Sequence, residues 1–207
     1  MSIPLPAILR LCRLYGLTEQ LLAKSISFIS SSEIGVKVHQ NAHTVRKDIS
    51  YLGEIGPSPS GYPVRNLQKL IQKQLGFNQL MNNCIVGLDG IGLSVLKNAF
   101  LFERSYPIIA GFDSNINLLE RINTEIPLYP LHSISDVLRT KEITLAIFAI
   151  ETGAVQETVK KVIGGGVKGI LNLSSHHIEY HQEGIWIRNC NLLNELRVLS
   201  SLIRLEP

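Results

Sequence analysis

Two clusters in this 207-residue chain have residue types and spacings suited to chemistry. The first is Gly87-Leu88-Asp89-Gly90-Ile91-Gly92, with Asp113 26 residues after Gly87. Set against a G-x-G-x-x-G pattern, Gly87 and Gly92 match the first and third glycines. The first permits a tight turn after a strand, the third permits close packing of the next helix on that strand, and the helix start presents amides to a phosphate. An acid such as Asp113 after the following strand suits the ribose hydroxyls of NAD and repels a 2′-phosphate. Asp89 stands in the second glycine's place and brings bulk and charge toward a pyrophosphate. Two unit charges about 4 Å apart cost about 4 kcal/mol at an effective dielectric near 20, and a helix N-terminus offsets about 0.5–2 kcal/mol of it. The Asp89 carboxylate could instead cap the helix itself, taking amides a phosphate would use.

The second cluster is His43-Thr44-Val45-Arg46-Lys47-Asp48-Ile49-Ser50-Tyr51-Leu52. Val45, Ile49 and Leu52 fall on one helical face, which leaves Thr44, Arg46, Lys47, Ser50 and Tyr51 on others. Arg and Lys reach guanine edges or phosphates, and Thr44 and Ser50 carry hydroxyls suited to phosphate oxygens. A three-helix packing unit with a solvated basic face would show the same pattern. Charge placement favours a polyanion partner: residues 1–80 carry a net +5 and the remainder −2.

The elements around these clusters follow from periodicity. Ile8, Leu11, Tyr15 and Leu22 predict a first helix over about 6–25. Ser30 and Glu33 have capping-box spacing and predict a short helix over about 32–39. Gln40-Asn41-Ala42 reads as a turn, and 43–52 as a third helix, which together make a helix-turn-helix. Gly56-Pro57-Ser58-Pro59-Ser60-Gly61-Tyr62-Pro63 reads as the tip of a β-hairpin wing. Ser58, Ser60, Gly61 and Tyr62 complete the candidate DNA-contacting set. Val64 to Leu75 is a fourth helix with Gly76 as its C-cap.

From residue 84 short apolar runs alternate with helical ones. Strands are expected at 84–87, 108–112, 143–150, 169–173 and 185–187, with helices including about 90–104 and 153–164. Such alternation implies a parallel sheet covered on both faces. A terminal helix over 191–205 has Leu192, Leu196, Leu199 and Ile203 along one stripe. The fold class is therefore α+β joined to α/β: a winged-helix DNA-binding domain (1–80), a Rossmann dinucleotide-binding domain (81–188) and a C-terminal helix (189–207).

No apolar run reaches the roughly 18 residues of a membrane span, and Met1 to Pro6 lack a secretory pattern, so a cytoplasmic protein is expected. Cys12, Cys84 and Cys190 have no disulfide or metal spacing and read as small buried apolar residues. His176, His177 and His181, with Glu179 or Glu183, could supply metal ligands, but a polar loop at the sheet edge explains them as well, and no metal is assigned.

Both halves together resemble the redox-sensing transcriptional repressor family Rex. The resemblance rests on Val45 to Gly56 with Gly61-Tyr62, on Val86-Gly87 with Gly92, on Gly111-Phe112-Asp113-Ser114, and on Gly166 to Asn172. It implies a homodimer that binds double-stranded operator DNA, NAD(H) as the sensed cofactor, and a C-terminal helix exchanged between subunits near the partner's DNA-binding domain. NADH is expected to close the dimer and separate the recognition helices. This chain departs from the family pattern at Asp89, at Asn98 in place of an aromatic residue near the nicotinamide, at Asn191 in place of an aspartate, and at Pro57 to Ser60, which lack a basic residue.

Three functions follow. The first is a repressor whose operator binding responds to the NADH/NAD ratio. The second is a DNA-binding paralogue that has lost sensing through Asp89, Asn98 and Asn191. The third is an NAD-dependent dehydrogenase, disfavoured because no positioned acid–base pair or substrate domain accompanies the sheet. No catalytic residue is assigned.

Overall fold

Side-chain caps fix where the two helices of the helix-turn-helix begin. In the computed structural model, which describes residues 3–55, 60–102, 105–151 and 155–205, the chain divides into two units, Met1–Gln79 and Leu80–Pro207. Helix α1 (Leu5–Ala23) buries Ala7, Leu11, Leu14, Thr18 and Leu21. This stripe is rotated from the expected one: Leu11 lies in it, while Ile8, Tyr15 and Leu22 sit half-buried at its edge. Strand β1 (Phe28–Ile29) precedes α2 (Ser31–Val38). The Ser30 hydroxyl accepts from the Glu33 amide at 3.2 Å, and the Glu33 carboxylate accepts from the Ser30 amide at 2.8 Å, so the capping box forms as expected.

The turn after α2 needs Gly35. A Cβ there would lie 2.4 Å from the carbonyl oxygen of Gln40, so a larger residue would push the turn away. Helix α3 (Ala42–Ser50) starts at Asn41, whose side chain accepts from the Thr44 amide at 2.8 Å. Val45, Ile49 and Leu52 are buried as the spacing requires. Asp48 is buried beside them, its side chain 6% exposed. Arg10 of α1 answers it with a two-pronged contact, Nε at 2.5 Å and Nη2 at 2.7 Å.

The wing tip expected over Gly56 to Pro63 is described only from Ser60 onward, residues 56–59 lying outside the described residues. Strand β2 (Tyr62–Pro63) pairs antiparallel with β1, on the far side of the helix-turn-helix in sequence, rather than with a neighbouring hairpin arm among the described residues. Gly61 has φ +99°, and a Cβ would lie 2.6 Å from the Ile29 carbonyl oxygen, so its glycine serves this pairing. Ser58 lies outside the described residues. Helix α4 (Val64–Leu75) buries Val64, Leu67 and Ile71 and ends at Gly76 in the left-handed conformation.

The second unit is a six-stranded parallel sheet: β3 (Asn83–Val86), β4 (Ile108–Asp113), β5 (Leu128–Pro130), β6 (Leu145–Phe148), β7 (Gly169–Asn172) and β8 (Trp186–Asn189), in the order β5-β4-β3-β6-β7-β8. Numbered within the unit this is 3-2-1-4-5-6, the doubly wound dinucleotide-binding order. Helices α5 (Ile91–Lys97), α6 (Ile116–Arg121), α7 (Ile134–Thr140) and α8 (Val155–Gly164) lie in the crossovers. Two apolar cores form: Val86, Phe112, Phe148 and Val159 belong to one, and Ile85, Leu88, Leu96 and Ile147 to the other. Residues alternate in direction along a strand, so Ile85 and Val86 join different cores.

Several boundaries differ from expectation. The helix foreseen over 90–104 stops at Lys97 and continues as a 3₁₀ turn, Ala99–Leu101. The strand foreseen over 143–150 is four residues long. Edge strand β5 had no signal, being short and ending in proline. Of the cysteines only Cys84 is buried, and burial pushes its thiol well up; Cys12 and Cys190 are exposed, against expectation. Helix α9 (Leu192–Leu205) ends the described chain and buries none of its residues.

The Arg10–Asp48 pair carries a stability prediction. Arg10→Met strands a buried carboxylate and should destabilise the first unit by about 2–4 kcal/mol, while Arg10→Met with Asp48→Leu should recover most of that loss. Urea unfolding measures both, and equal destabilisation of single and double variants would refute the pair's importance.

Candidate functional site

In the first unit the candidate surface is the outward side of α3. Arg46, Lys47 and Ser50 are exposed, and Thr44 and Tyr51 are half-buried. Because Asp48 turns inward onto Arg10, the acid of the Arg46-Lys47-Asp48 run leaves the outer surface and both cations remain on it. The Arg46 Nη1 donates to the Ser31 hydroxyl at 3.0 Å, which ties it loosely to the first turn of α2. The Ser50 hydroxyl donates to the Lys47 carbonyl at 2.7 Å, so its proton is engaged within the helix. Ser60 is exposed, and Gly61 and Tyr62 are half-buried at the β1–β2 pairing, with Tyr62 packed on the apolar core.

In the second unit a cleft of about 660 Å³ opens beyond the C-terminal ends of β3, β4 and β6. Its walls include Gly87, Asp89, Asp113, Ser114, Ile150 and Glu151. Strand order reverses between β3 and β6, and doubly wound sheets bind nucleotides at that point. The glycine turn is a backbone cradle. Gly87 has φ +93°, and a Cβ would lie 2.8 Å from the Ala149 carbonyl. A Cβ on Gly92 would lie 1.8 Å from the Gly87 oxygen, an impossible overlap. Leu88 is buried, Gly90 and Ile91 are exposed, and Gly92 is buried.

The two acids of the motif behave differently. Asp113 accepts from the Leu88 amide at 2.7 Å and from the Asn115 amide at 2.8 Å, so it ties the turn after β3 to the end of β4. Asp89 is exposed and accepts from the amide of its neighbour Gly90 at 2.8 Å. It thus takes one amide at the turn, and α5 itself receives no side-chain cap. The volume, the switch-point position, the glycine cradle and Asp113 fit a dinucleotide; the exposed carboxylate of Asp89 at the glycine turn opposes it.

Sequence reasoning left the other wall of the cleft unassigned. Glu151, three residues beyond the end of β6, receives the Ser175 hydroxyl at 2.6 Å and the Ser175 amide at 3.3 Å. An acid closing the apolar run 143–150 was the available signal. Glu157 pairs with Lys161 at 2.8 Å, and that contact holds its carboxyl below the usual carboxylate range. His176, His177 and His181 are exposed, His177 lies 3.9 Å from Glu179, and no three His, Cys, Asp or Glu gather for a metal among the described residues.

Comparison with known proteins places both units. Residues 2–50 match the family model "Putative DNA-binding protein N-terminus", and residues 78–176 match the CoA binding domain. The redox-sensing transcriptional repressor Rex 1 of Enterococcus faecalis is 35% identical over 171 residues, 83% of this chain and 79% of that protein. Rex of Levilactobacillus brevis is 30% identical over 198 residues, 96% of this chain and 93% of its own. The chain belongs to the Rex family. Rex of Carboxydothermus hydrogenoformans agrees, 30% identical over 98% of this chain and 97% of its own.

A solved Rex-family repressor, RSP, shares the fold with a TM-score of 0.89 at 22% identity, covering 99% of this chain and 96% of that one. RSP has also been solved with β-NAD⁺ and operator DNA (TM-score 0.87, 24% identity, 99% and 94% covered). The residues expected to depart from the Rex pattern have local structural uses here. Asn98 ends α5 and donates to the Ser94 carbonyl at 2.8 Å. Asn191 accepts from the Leu193 and Asn194 amides at 3.0 and 3.2 Å and so caps α9. Among the described residues no helix is long and apolar enough to cross a membrane.

The Gly92 overlap predicts a large substitution effect. Gly92→Ala should destabilise the second unit by about 2–4 kcal/mol through backbone displacement. Gly16→Ala, in mid-helix with nothing within 4 Å of its Cβ, should be neutral or stabilise by about 0.5–1 kcal/mol. Calorimetry of the two variants compares them directly; a Gly92→Ala protein as stable as wild type contradicts the close approach.

Proposed function

We propose that the chain is a DNA-binding transcriptional repressor whose hold on its operator responds to the NADH/NAD ratio. The observation that carries this reading is the outward pair Arg46 and Lys47 on α3, in a chain that also holds a dinucleotide-type cleft. On entering the major groove, α3 would set Arg46 and Lys47 against base edges or phosphates, with Thr44 and Tyr51 beside them. Ser50 joins as a donor only by releasing the Lys47 carbonyl, and Ser60, Gly61 and Tyr62 lie at the β1–β2 pairing; Ser58, outside the described residues, completes the expected set. In the cleft, Gly87 to Gly92 would face the pyrophosphate and Asp113 the adenosine ribose. RSP, solved with NAD⁺ and operator DNA and separately with NADH, supports the same partners for this chain.

The functional unit in this reading is a cytoplasmic homodimer. Leu192, Leu193, Leu196, Val198, Leu199, Leu202, Ile203 and Leu205 of α9 are each more than half exposed, an apolar surface that needs a covering. A second copy of the chain, exchanging this helix, supplies one. NADH would then shift the dimer toward a form that releases DNA, which requires several kcal/mol of preference for that form. The second reading, a paralogue without sensing, is favoured by one observation: the exposed Asp89 carboxylate at the glycine turn.

Gel-shift and titration measurements separate these readings. Arg46→Ala and Lys47→Ala should each weaken operator binding by about 1–3 kcal/mol, and unchanged affinity in both would remove α3 from the interface. NADH should release the operator from the wild-type protein. If it does not, while an Asp89→Gly variant does respond, the second reading holds. Sedimentation tests the dimer: Leu196→Asp with Leu199→Asp should yield monomers, and an unchanged dimer would exclude α9 from the contact.

A further inference from the structure

The cleft has two unlike halves. Over β3, β4 and β5 it holds Asp113, with both carboxylate oxygens committed to the amides of Leu88 and Asn115. The other half begins at β6, and the chain leaves that strand through Ala149, Ile150 and Glu151, all on the cleft wall. A doubly wound sheet takes one mononucleotide over each half, so the nicotinamide nucleotide belongs to the half that begins at β6.

Glu151 is held there without being neutralised. The Ser175 hydroxyl donates to it at 2.6 Å and the Ser175 amide approaches both oxygens at 3.3 Å. These contacts fix the carboxylate and leave its charge in place. Glu157 differs, since Lys161 lies 2.8 Å away, and among the described residues no lysine or arginine pairs with Glu151. Asp89, like Glu157 a further exposed acid of the cleft, sits on the turn after β3, where the pyrophosphate would pass.

The oxidised nicotinamide ring carries a positive charge and the reduced ring carries none, while the rest of the two molecules is the same. We infer that Glu151 is a specificity-determining residue that favours the oxidised dinucleotide relative to the reduced one, and so raises the NADH/NAD ratio at which the protein responds. The inference rests on the proposed reading that this cleft binds NAD(H). Repulsion between Glu151 and the pyrophosphate acts on both forms and cancels in the ratio of their affinities. Repulsion from Asp89 cancels in the same way, so the two acids have separable effects.

Calorimetric titration of the full-length protein with NAD⁺ and with NADH tests this in wild type, Glu151→Gln and Asp89→Asn. Glutamine keeps an oxygen for the Ser175 donors and removes the charge. Glu151→Gln should weaken NAD⁺ relative to NADH by about threefold, the size expected of a solvent-exposed charge pair, and the change should shrink as salt is raised. Asp89→Asn should strengthen both forms and leave their ratio where it was. Binding of both forms with the same ratio in wild type and Glu151→Gln overturns this inference and leaves the proposed function standing. An equal change of ratio in Asp89→Asn also overturns it, because general acidity would then be the cause. No binding of either form to any of the three proteins overturns the cofactor reading, and the inference falls with it.

Discussion

The close approach of Gly92 to the carbonyl oxygen of Gly87 governs the second unit. A Cβ added at Gly92 would overlap that oxygen at 1.8 Å, so the start of α5 can press onto the end of β3 only while residue 92 lacks a side chain. Gly87 in turn lies against the Ala149 backbone at the end of β6. The turn after β3 is thereby lodged between two strands that lead the chain in opposite directions across the sheet. The cleft exists because those two strand ends diverge, and at Gly87 its wall is bare backbone because a Cβ there would meet Ala149. Asp113 reinforces the arrangement from the β4 side through the Leu88 amide.

The first unit solves a different problem, how to give a short helix an outward face of one sign. The run Arg46-Lys47-Asp48 is nearly balanced in sequence. Helical geometry separates its members by about 100° each, so Asp48 can turn inward while the two cations stay out. A buried carboxylate is costly alone, and Arg10 of α1 makes it tolerable with a two-pronged contact. Packing, charge and presentation of α3 are therefore one arrangement. Asn41, which accepts from the Thr44 amide, fixes where the helix starts and hence which residues face outward.

Features governed by local rules could be read from the sequence. The Ser30–Glu33 capping box, the Gly76 cap, the apolar face of α3 and the alternation of strands and helices are all set within a few residues, and they form as expected. The comparisons bear out the family resemblance carried by the same motifs. Features that depend on distant partners could not be read. Tyr62 pairs with Ile29 across the whole helix-turn-helix, and no hairpin signal encodes such a pairing. The phase of the α1 stripe is set by the elements it packs against, so Leu14, Thr18 and Leu21 replace residues that periodicity alone allowed. Glu151 meets Ser175 only because β6 and β7 are neighbours in the sheet.

The acidity of the cleft bears on what kind of sensor this fold can be. A ligand shifts a conformational equilibrium by the difference between its affinities for the two forms, and tight binding alone shifts nothing. A carboxylate at the phosphate turn lowers affinity for every dinucleotide in every form of the protein, which raises the concentration needed without erasing the difference. A carboxylate at the nicotinamide half acts on the difference between the oxidised and reduced rings. In the proposed reading Asp89 would set sensitivity to the total pool, and Glu151 sensitivity to its redox state. A chain with a carboxylate at its glycine turn can still respond to redox state, provided the two nicotinamide rings remain distinguishable to the cleft.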